Sequence, residues 1–529
     1  MIDSQSEDSK ILSKMEENLT CPLTGRGEHL SEPPRRTFFP QYIPTTADRR
    51  NVVQVTIDMV PDVALIEIFD FYMTESLGYD PFRHNREAWI ILTHVCRKWR
   101  DIVFGSPSRL NVRILFNPRS SVREMMDTWP PLPIYIWSDG VDLLSSGTDN
   151  IVAVLEHNDR INTIDLSCYS KPSMDQALAA MQKPFPSLTG LFINAFDDTV
   201  ALTVPNLILR GSAPLLRSLQ LRNISFSFPV LRNLLLSATD LVKLCIYGIP
   251  ESRLMSPEAV VACLSGLTRL EDLELGFRCP IPWGILQPPP STRCVLPALA
   301  SLIFNGQREY LEHLISLIDT PLLDNSDVNL SESPVFDSPQ LAQFIDCTPK
   351  LKALHDAKFF FDGSDIYISP PGPHRGGLRY RITRLQSDLS IMVRPCTSSF
   401  LRTLIPIMKH LYILDTGMPY LNWLNDVDVE DSQWLDFLRP FTTVKDLYVS
   451  REYSPHLVAT LHRIIGEGMT EVLPSLQNFF WEKQSSPVPG PIEEAMEQSV
   501  AALHRDHSSR AITVSQWNGV LDRWWDYKY

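Results

Sequence analysis

One pair of histidines has the residue types of a transition-metal site. His504 and His507 form an H-x-x-H pair beside Asp506. Structural and catalytic zinc sites use three or four protein ligands, so this pair alone falls short of the required number. We interpret it as the polar end of a C-terminal helix, and we predict that the chain binds no metal and no cofactor.

A short acidic run resembles the start of a calcium-binding loop. It contains Asp426, Asp428 and Glu430 at alternate positions. A calcium loop of the EF-hand type needs glycine at its sixth position and glutamate at its twelfth, whereas this run has Asp431 and Phe437 there. The run is therefore interpreted as a solvated acidic loop.

The sequence motifs of common enzyme classes are missing. The chain has no G-x-x-x-x-G-K-[ST], no H-E-x-x-H and no G-x-S-x-G motif, and the pair Gly466 and Gly468 lacks the third glycine of a dinucleotide-binding loop. An enzyme on a repeat scaffold would need carboxylates that converge on adjacent turns. Asp165 and Glu274 do not occupy equivalent positions in the repeat pattern, so we predict that the chain is not an enzyme.

Composition limits the partners and the compartment. The 529 residues include 48 Lys and Arg against 62 Asp and Glu, a net charge of −14, which argues against a protein that tracks nucleic-acid phosphates. The first ten residues have no secretory character, no run of eighteen apolar residues occurs, and the nine cysteines form no C-x-x-C pair. We expect a cytoplasmic or nuclear protein with reduced thiols that binds neither nucleic acid nor membrane.

The first helix that the sequence predicts has more apolar surface than one core requires. Residues 1–50 are polar and are predicted to be a disordered arm that folding does not need. Pro61 and Asp62 suit the first turn of a helix. From there to Met73 the apolar residues form two stripes, one of Leu65, Ile68, Phe69 and Tyr72 and the other of Val63, Ile66 and Met73. Because a surface helix needs one stripe, the second indicates either a binding partner outside the domain or an ordinary helical core.

A second helix is predicted over AWIILTHVCRKWRDIVF, residues 88–104. Gly105 and Pro107 would end it. Its apolar row is Ala88, Leu92, Val95, Trp99 and Ile102, and its solvated face is Thr93, His94, Arg97, Lys98, Arg100 and Asp101.

The middle of the chain repeats the pattern apolar-x-x-apolar-x-apolar. Successive copies start 27, 28, 25, 29 and 29 residues apart, which is the spacing of leucine-rich repeats. The six copies are Ile161, Ile164, Leu166; Leu188, Leu191, Ile193; Leu216, Leu219, Leu221; Leu241, Leu244, Ile246; Leu270, Leu273, Leu275; and Leu299, Leu302, Phe304.

Weaker copies follow with irregular spacing, which predicts longer insertions. In the first two of them, Ser326 and Asp356 stand where an apolar residue is expected. SPQLAQFIDCTPKLKAL predicts a helix between strands, and AITVSQW predicts a short strand near the C-terminus. The weaker copies are Leu323, Ser326, Val328; Leu351, Leu354, Asp356; Met408, Leu411, Ile413; Val444, Leu447, Val449; and Leu476, Phe479, Trp481.

The helical segment resembles an F-box domain. The matching residues are VPDVALIEIFD, from Val60 to Asp70, and LTHVCRKWR, from Leu92 to Arg100. The family usually opens with Leu-Pro, whereas this chain has Val60 and Pro61. The rest of the chain, including SPQLAQFIDCTPKLKAL and EVLPSLQNFFWE, is similar to F-box-like proteins common in mushroom-forming (basidiomycete) fungi.

The resemblance implies an adaptor in an α/β architecture. The predicted domains are an F-box-like module at 51–117, a leucine-rich-repeat solenoid at 118–483 and a C-terminal cap or extension at 484–529. The module would dock on the Skp-type adaptor, and through it on a cullin, of an SCF ubiquitin ligase, while the solenoid binds a substrate protein. A repeat scaffold with no ubiquitin role, sealed by the module, is the alternative. The predicted docking residues are Val60, Pro61, Leu65, Ile66, Ile68, Phe69, Leu92, Val95, Cys96 and Trp99.

Overall fold

The structure is a computed structural model in which the chain forms two compact units, residues 1–61 and 62–529. The predicted arm, the acidic run 426–430, and the helix that would carry His504 and His507 lie outside the described residues, so those predictions stay predictions. The structure describes residues 57–75, 88–107, 109–140, 145–168, 170–196, 202–249, 255–277, 293–331, 338–352, 356–362, 365–369, 377–383, 408–415, 431–451, 453–483 and 512–517.

Three helices open the second unit. They are α1 (Asp62–Glu75), α2 (Ala88–Val95) and α3 (Arg97–Gly105). The single helix predicted over 88–104 is wrong, because Cys96 has extended backbone angles (φ −158°, ψ 172°) and separates α2 from α3.

Side chains near the break satisfy the backbone groups that it frees. The Arg100 Nε atom donates to the Thr93 carbonyl oxygen at 3.0 Å, in the last turn of α2. The Thr93 hydroxyl donates to the Ile90 carbonyl oxygen at 2.7 Å. Thr93, predicted on the solvated face, can therefore be buried without an unpaired polar group.

Within the described residues, sixteen strands form one sheet, which confirms the α/β class. The sheet order is β1-β2-β3-β4-β6-β8-β9-β11-β13-β16-β15-β14-β17-β18-β19-β20, and β5 pairs with β7 and β10 with β12 apart from it. The strands are β1 Ile114–Phe116, β2 Ile134–Gly140, β3 Ile161–Cys168, β4 Gly190–Ala195, β5 Leu202–Thr203, β6 Ser218–Arg222, β7 Ile224–Ser225, β8 Lys243–Ile249, β9 Asp272–Phe277, β10 Cys294–Val295, β11 Ser301–Gly306, β12 Ile318–Asp319, β13 Asn325–Ser331, β14 Asp356–Asp362, β15 Asp365–Ser369, β16 Gly377–Thr383, β17 His410–Asp415, β18 Asp446–Val449, β19 Asn478–Glu482 and β20 Thr513–Trp517.

Helices connect most successive strands of this array. Neighbouring helices such as α6 and α5, or α9 and α10, pack against each other. No described helix is long and apolar enough to cross a membrane. The helices are α4 Val122–Thr128, α5 Ser145–Leu155, α6 Lys171–Ala180, α7 Phe228–Ser237, α8 Pro257–Leu264, α9 Arg308–Leu317, α10 Pro339–Cys347, α11 Pro349–Lys352, α12 Asp431–Leu438 and α13 Ser454–Gly466.

The six clear repeats form consecutive parallel strands in the predicted register. Leu219 pairs with Leu244, Leu244 with Leu273, and Leu273 with Leu302. These four leucines are at most 1% exposed, so the prediction that they are buried at equivalent positions is confirmed. Alternate residues of each strand face away from the helices and form the outer face of the sheet.

Two more turns precede the six that the sequence reveals. Strands β1 and β2 pair in parallel. Strand β2 also pairs in parallel with β3, with a register shift after Ile134. Ser138 stands opposite Leu166, where the repeat pattern has an apolar residue, and the shift pairs Ile161 with Ile134, one residue later than the repeat spacing requires. These two departures hide the turn from a search for apolar spacing.

The array is interrupted after β13. The prediction of a regular repeat turn at Leu351, Leu354 and Asp356 is wrong. Leu351 lies in helix α11, and the strand that pairs with β13 is β16. Strand β15 then runs antiparallel between β16 and β14, and β14 pairs in parallel with β17. From β17 to β19 the sheet is parallel again, as predicted for these copies, and the short strand predicted at AITVSQW joins it in parallel as β20.

Asp165 and Glu274 occupy the same register row, contrary to the sequence prediction. The row passes from Asp165 through Phe192, Gln220 and Cys245 to Glu274. Four strand spacings separate the two carboxylates, which is roughly 19 Å. They are therefore aligned but do not converge on one site.

Candidate docking surface

Helix α1 has one buried face and one exposed apolar face, but the division differs from the predicted stripes. Leu65, Phe69 and Met73, spaced four residues apart, are buried. Ile68 and Phe71, three residues apart, are 54% and 67% exposed. Each predicted stripe therefore contains both core and surface residues.

The buried face of α1 packs against α3. The Phe69 and Trp99 ring centroids are 4.7 Å apart at an interplanar angle of 58°. Phe69 is fully buried and Trp99 is partly exposed. An aromatic pair of this geometry adds to the stability gained from burial of the rings.

The ten predicted docking residues divide into three groups by exposure. The core contains Leu65, Phe69 and Leu92, which are buried and could only support a docking surface. The partly exposed ones are Val60, Ile66, Cys96 and Trp99. The exposed ones are Pro61, Ile68 and Val95.

We name five exposed apolar residues of α1 and α2, which are spaced three or four residues apart, the apolar rows; Val63, also exposed on α1, does not share this spacing. They are Ile68, Phe71 and Tyr72 on α1, and Ile91 and Val95 on α2. Spacings of three and four residues place the members of each row on one side of its helix. Phe71, Tyr72 and Ile91 were not predicted as docking residues, although their spacing to Ile68 and Val95 could have revealed them.

Charged side chains border α1. Lys98 Nζ lies 3.4 Å from Asp62 Oδ1 in the first turn of α1, and Arg109 donates to Glu67. Asp62 also lies at the positive end of the helix dipole. Exposed pairs of this kind contribute little stability, so the apolar rows are the distinctive feature of this region.

The outer face of the sheet has a second candidate, a central polar cluster of Arg222, Cys245, Tyr247, Glu274 and Asn305. Arg222 Nη2 donates to both oxygens of the Glu274 carboxylate at 2.9 Å. The Tyr247 hydroxyl accepts from Asn305 Nδ2 at 2.8 Å. The charges of Arg222 and Glu274 balance, so the cluster presents hydrogen-bonding groups rather than net charge.

Gly276 allows the central polar cluster to form. A Cβ atom at this position would lie 2.3 Å from the Tyr247 ring, which is closer than any real contact. The Arg222 guanidinium lies 5.4 Å from the centroid of the same ring. Tyr247 is therefore held between a cation and a glycine, with its hydroxyl directed to Asn305.

Cys245 should be chemically inert in the folded protein. Burial, together with the nearby Glu274 carboxylate, raises the pKa of its thiol to about 12. Since the thiolate is the reactive form, its fraction at about pH 8 is on the order of one in ten thousand. We expect N-ethylmaleimide to modify the exposed Cys347 in the native protein and Cys245 only after unfolding, as read by peptide mass spectrometry. Equal rates at the two cysteines would contradict the buried position of Cys245.

No protein-family model matches the chain, and neither does any curated protein. Among solved structures, the chain is similar to one in the TLR13–ssRNA13 complex, with 12% identity over 68% of this chain and a TM-score of 0.28. It spans 44% of that chain's length. It is also similar to the leucine-rich repeat-containing protein LegL7 from Legionella pneumophila, with 11% identity, 74% and 98% coverage of the two chains, and a TM-score of 0.23. The repeat architecture of this chain follows from its own strand register.

Proposed function

We propose that this chain is a substrate receptor of an SCF-type ubiquitin ligase. The apolar rows would dock on the Skp-type adaptor, and through it on a cullin, while the outer face of the sheet binds a substrate protein. The chain would then be no enzyme itself, because other subunits carry out ubiquitin transfer. The observation that supports this proposal is the exposed apolar surface on α1, a helix whose other face already completes a core.

A repeat scaffold without a ubiquitin role is the second candidate, and one contact favours it. Trp129, at the end of α4, lies 5.0 Å from Trp89 and 6.4 Å from Phe104 between ring centroids. The N-terminal helices therefore pack against the first turn of the array. Arrays need such caps to cover their terminal apolar turns, whatever else the cap binds.

Ile68→Asp distinguishes the two functions. A carboxylate in a dry interface would cost at least about 2 kcal/mol, or roughly a thirtyfold weaker Kd. We expect full-length Ile68→Asp to lose co-purification with the Skp-type adaptor of the source organism, while its circular dichroism and Tm stay near wild type. The full chain is needed because Trp129 would be absent from a 51–117 fragment.

Leu236→Asp is the matched control for this experiment. Leu236 is 51% exposed on α7, and Ile68 is 54% exposed on α1, so both variants place the same charge on an exposed helix position. We expect Leu236→Asp to keep the adaptor bound. If the folded wild-type chain never co-purifies with the adaptor, the scaffold function replaces the ubiquitin-ligase function.

A further inference from the structure

Four aromatic residues lie together on the outer face of the sheet, near its C-terminal end. The rings of Tyr412 and Tyr448 stack at 4.4 Å and 9°, and those of Tyr448 and Phe480 at 4.5 Å and 10°. Trp517 lies at 76° to Tyr448, with ring centroids 5.6 Å apart. All four side chains are partly exposed, and we name them the aromatic row.

The backbone register holds this row in place. Tyr412, Tyr448 and Phe480 are direct neighbours on β17, β18 and β19. The Trp517 Nε1 atom donates to the Val449 carbonyl oxygen at 3.4 Å, which anchors the indole across the neighbouring strands. Because the rings are ordered in this way, a ligand that contacts them loses little side-chain entropy on binding.

The fold does not require aromatic residues at these positions. The inward-facing neighbours Leu411, Leu447 and Phe479 are fully buried and form the core beneath this part of the sheet. At the equivalent position on other turns the chain has Phe192, Gln220 and Ile303, so an aromatic residue stands there in some turns only. The aromatic row is therefore a surface feature of the last turns, beyond what core packing explains.

Carboxylates flank the aromatic row on both sides along the strands. Asp446 lies two residues before Tyr448, and Glu482 two residues after Phe480, so both are on the outer face. His410 Nδ1 lies 2.7 Å from Asp446 Oδ2, and Asn478 Nδ2 donates to Asp446 Oδ1 at 2.6 Å. These contacts keep the Asp446 carboxylate beside the rings.

The surrounding charge favours a cationic ligand. The whole chain has a net charge of −14. Lys358 on β14 occupies the register position next to Tyr412, and Ser515 on β20 occupies the one next to Phe480. The row itself lies between Asp446 and Glu482, which combine negative charge with aromatic surface.

We propose that the aromatic row and its flanking carboxylates bind an extended, arginine-bearing segment of a partner protein. A guanidinium stacks on aromatic rings and also pairs with carboxylates, so both features of the site suit the same side chain. Tyrosine, tryptophan and arginine also dominate the binding energy of protein interfaces. The identification of this partner as the substrate rests on the proposed ubiquitin-ligase function. The proposed binding chemistry does not depend on that function.

The proposal can be tested by measuring the binding of three fluorescent peptides to the purified full-length protein by fluorescence anisotropy. The salt concentration is about 0.15 M, at which interactions between distant charges are screened. The probes are hexa-arginine, hexaproline and hexaglutamate. We expect hexa-arginine to bind most tightly. Tyr448→Leu keeps an apolar side chain but removes the ring, and it should weaken hexa-arginine binding about tenfold, as expected for a partly desolvated cation–π contact. Glu482→Gln should weaken it about threefold.

Phe192→Leu is the matched control, because Phe192 occupies the equivalent position on β4, between the buried Leu191 and Ile193. It should leave hexa-arginine binding unchanged. The proposal is overturned if Tyr448→Leu and Phe192→Leu bind hexa-arginine equally, which would mean general attraction to an acidic protein. Hexaproline binding as tight as hexa-arginine binding would also overturn it, in favour of a proline-rich ligand. The adaptor is absent from this assay, so its outcome is independent of adaptor docking.

Discussion

Replacing Phe69 by alanine is expected to lower the free energy of unfolding by about 3 to 5 kcal/mol. Phe69 is fully buried and its ring packs 4.7 Å from that of Trp99, so the change leaves a cavity between α1 and α3. Hydrogen exchange by mass spectrometry should show the loss locally. Amides of α1 and α3 should lose protection by a factor on the order of a hundred or more.

Phe71→Ala on the same helix is the control. Phe71 is 67% exposed, so its truncation removes the same atoms without opening a core. We expect its effect on the free energy of unfolding to stay within about 0.5 kcal/mol. Equal losses in Phe69→Ala and Phe71→Ala would contradict the assignment of Phe69 to the core and Phe71 to the exposed apolar rows.

Replacing Leu273 by alanine is expected to cost about 2 to 5 kcal/mol. Leu273 pairs with Leu244 on one side and Leu302 on the other, and all three are at most 1% exposed. In a repeat array each turn is stabilised mainly by its neighbours, so the cavity weakens two interfaces. Urea unfolding followed by circular dichroism should show a lower midpoint.

Leu322→Ala tests whether the effect belongs to the strand position. Leu322 is 52% exposed in the turn before β13, and its truncation should leave the urea midpoint close to wild type. A Leu273→Ala midpoint as high as that of Leu322→Ala would mean that the array can close around the missing side chain, contrary to the rigid stacking inferred from the register.

The repeats were predictable because their signal is local. Alternate apolar residues in a strand bury one face, and a spacing of 25 to 29 residues brings successive strands side by side. The turn at β2 escaped prediction because Ser138 replaces an apolar residue and the register shift places Ile134 outside the apolar spacing. The order β16-β15-β14 also escaped it, because strand pairing depends on contacts between distant segments and not on apolar period.

The apolar rows were only partly predictable for a related reason. An apolar stripe on a helix shows that a side chain avoids water, but it does not show whether this chain or a partner covers it. Ile68 and Phe69 are adjacent and both apolar, yet one is 54% exposed and the other fully buried. The break at Cys96, with Arg100 bonded to the Thr93 carbonyl, likewise depends on a contact that no periodicity reports.

The α/β repeat architecture, the positions of its six central strands and the surplus of apolar residues on α1 were all predictable from the sequence. These follow from periods of two, of three to four and of about 27 residues, which short-range geometry imposes. The exposed face of α1 and the order of strands β14 to β16 in the sheet became known only from the tertiary structure. It also brought Tyr412, Tyr448, Phe480 and Trp517 into one aromatic row. These features depend on which distant segments of the chain pack together, and the register of the whole sheet determines that packing.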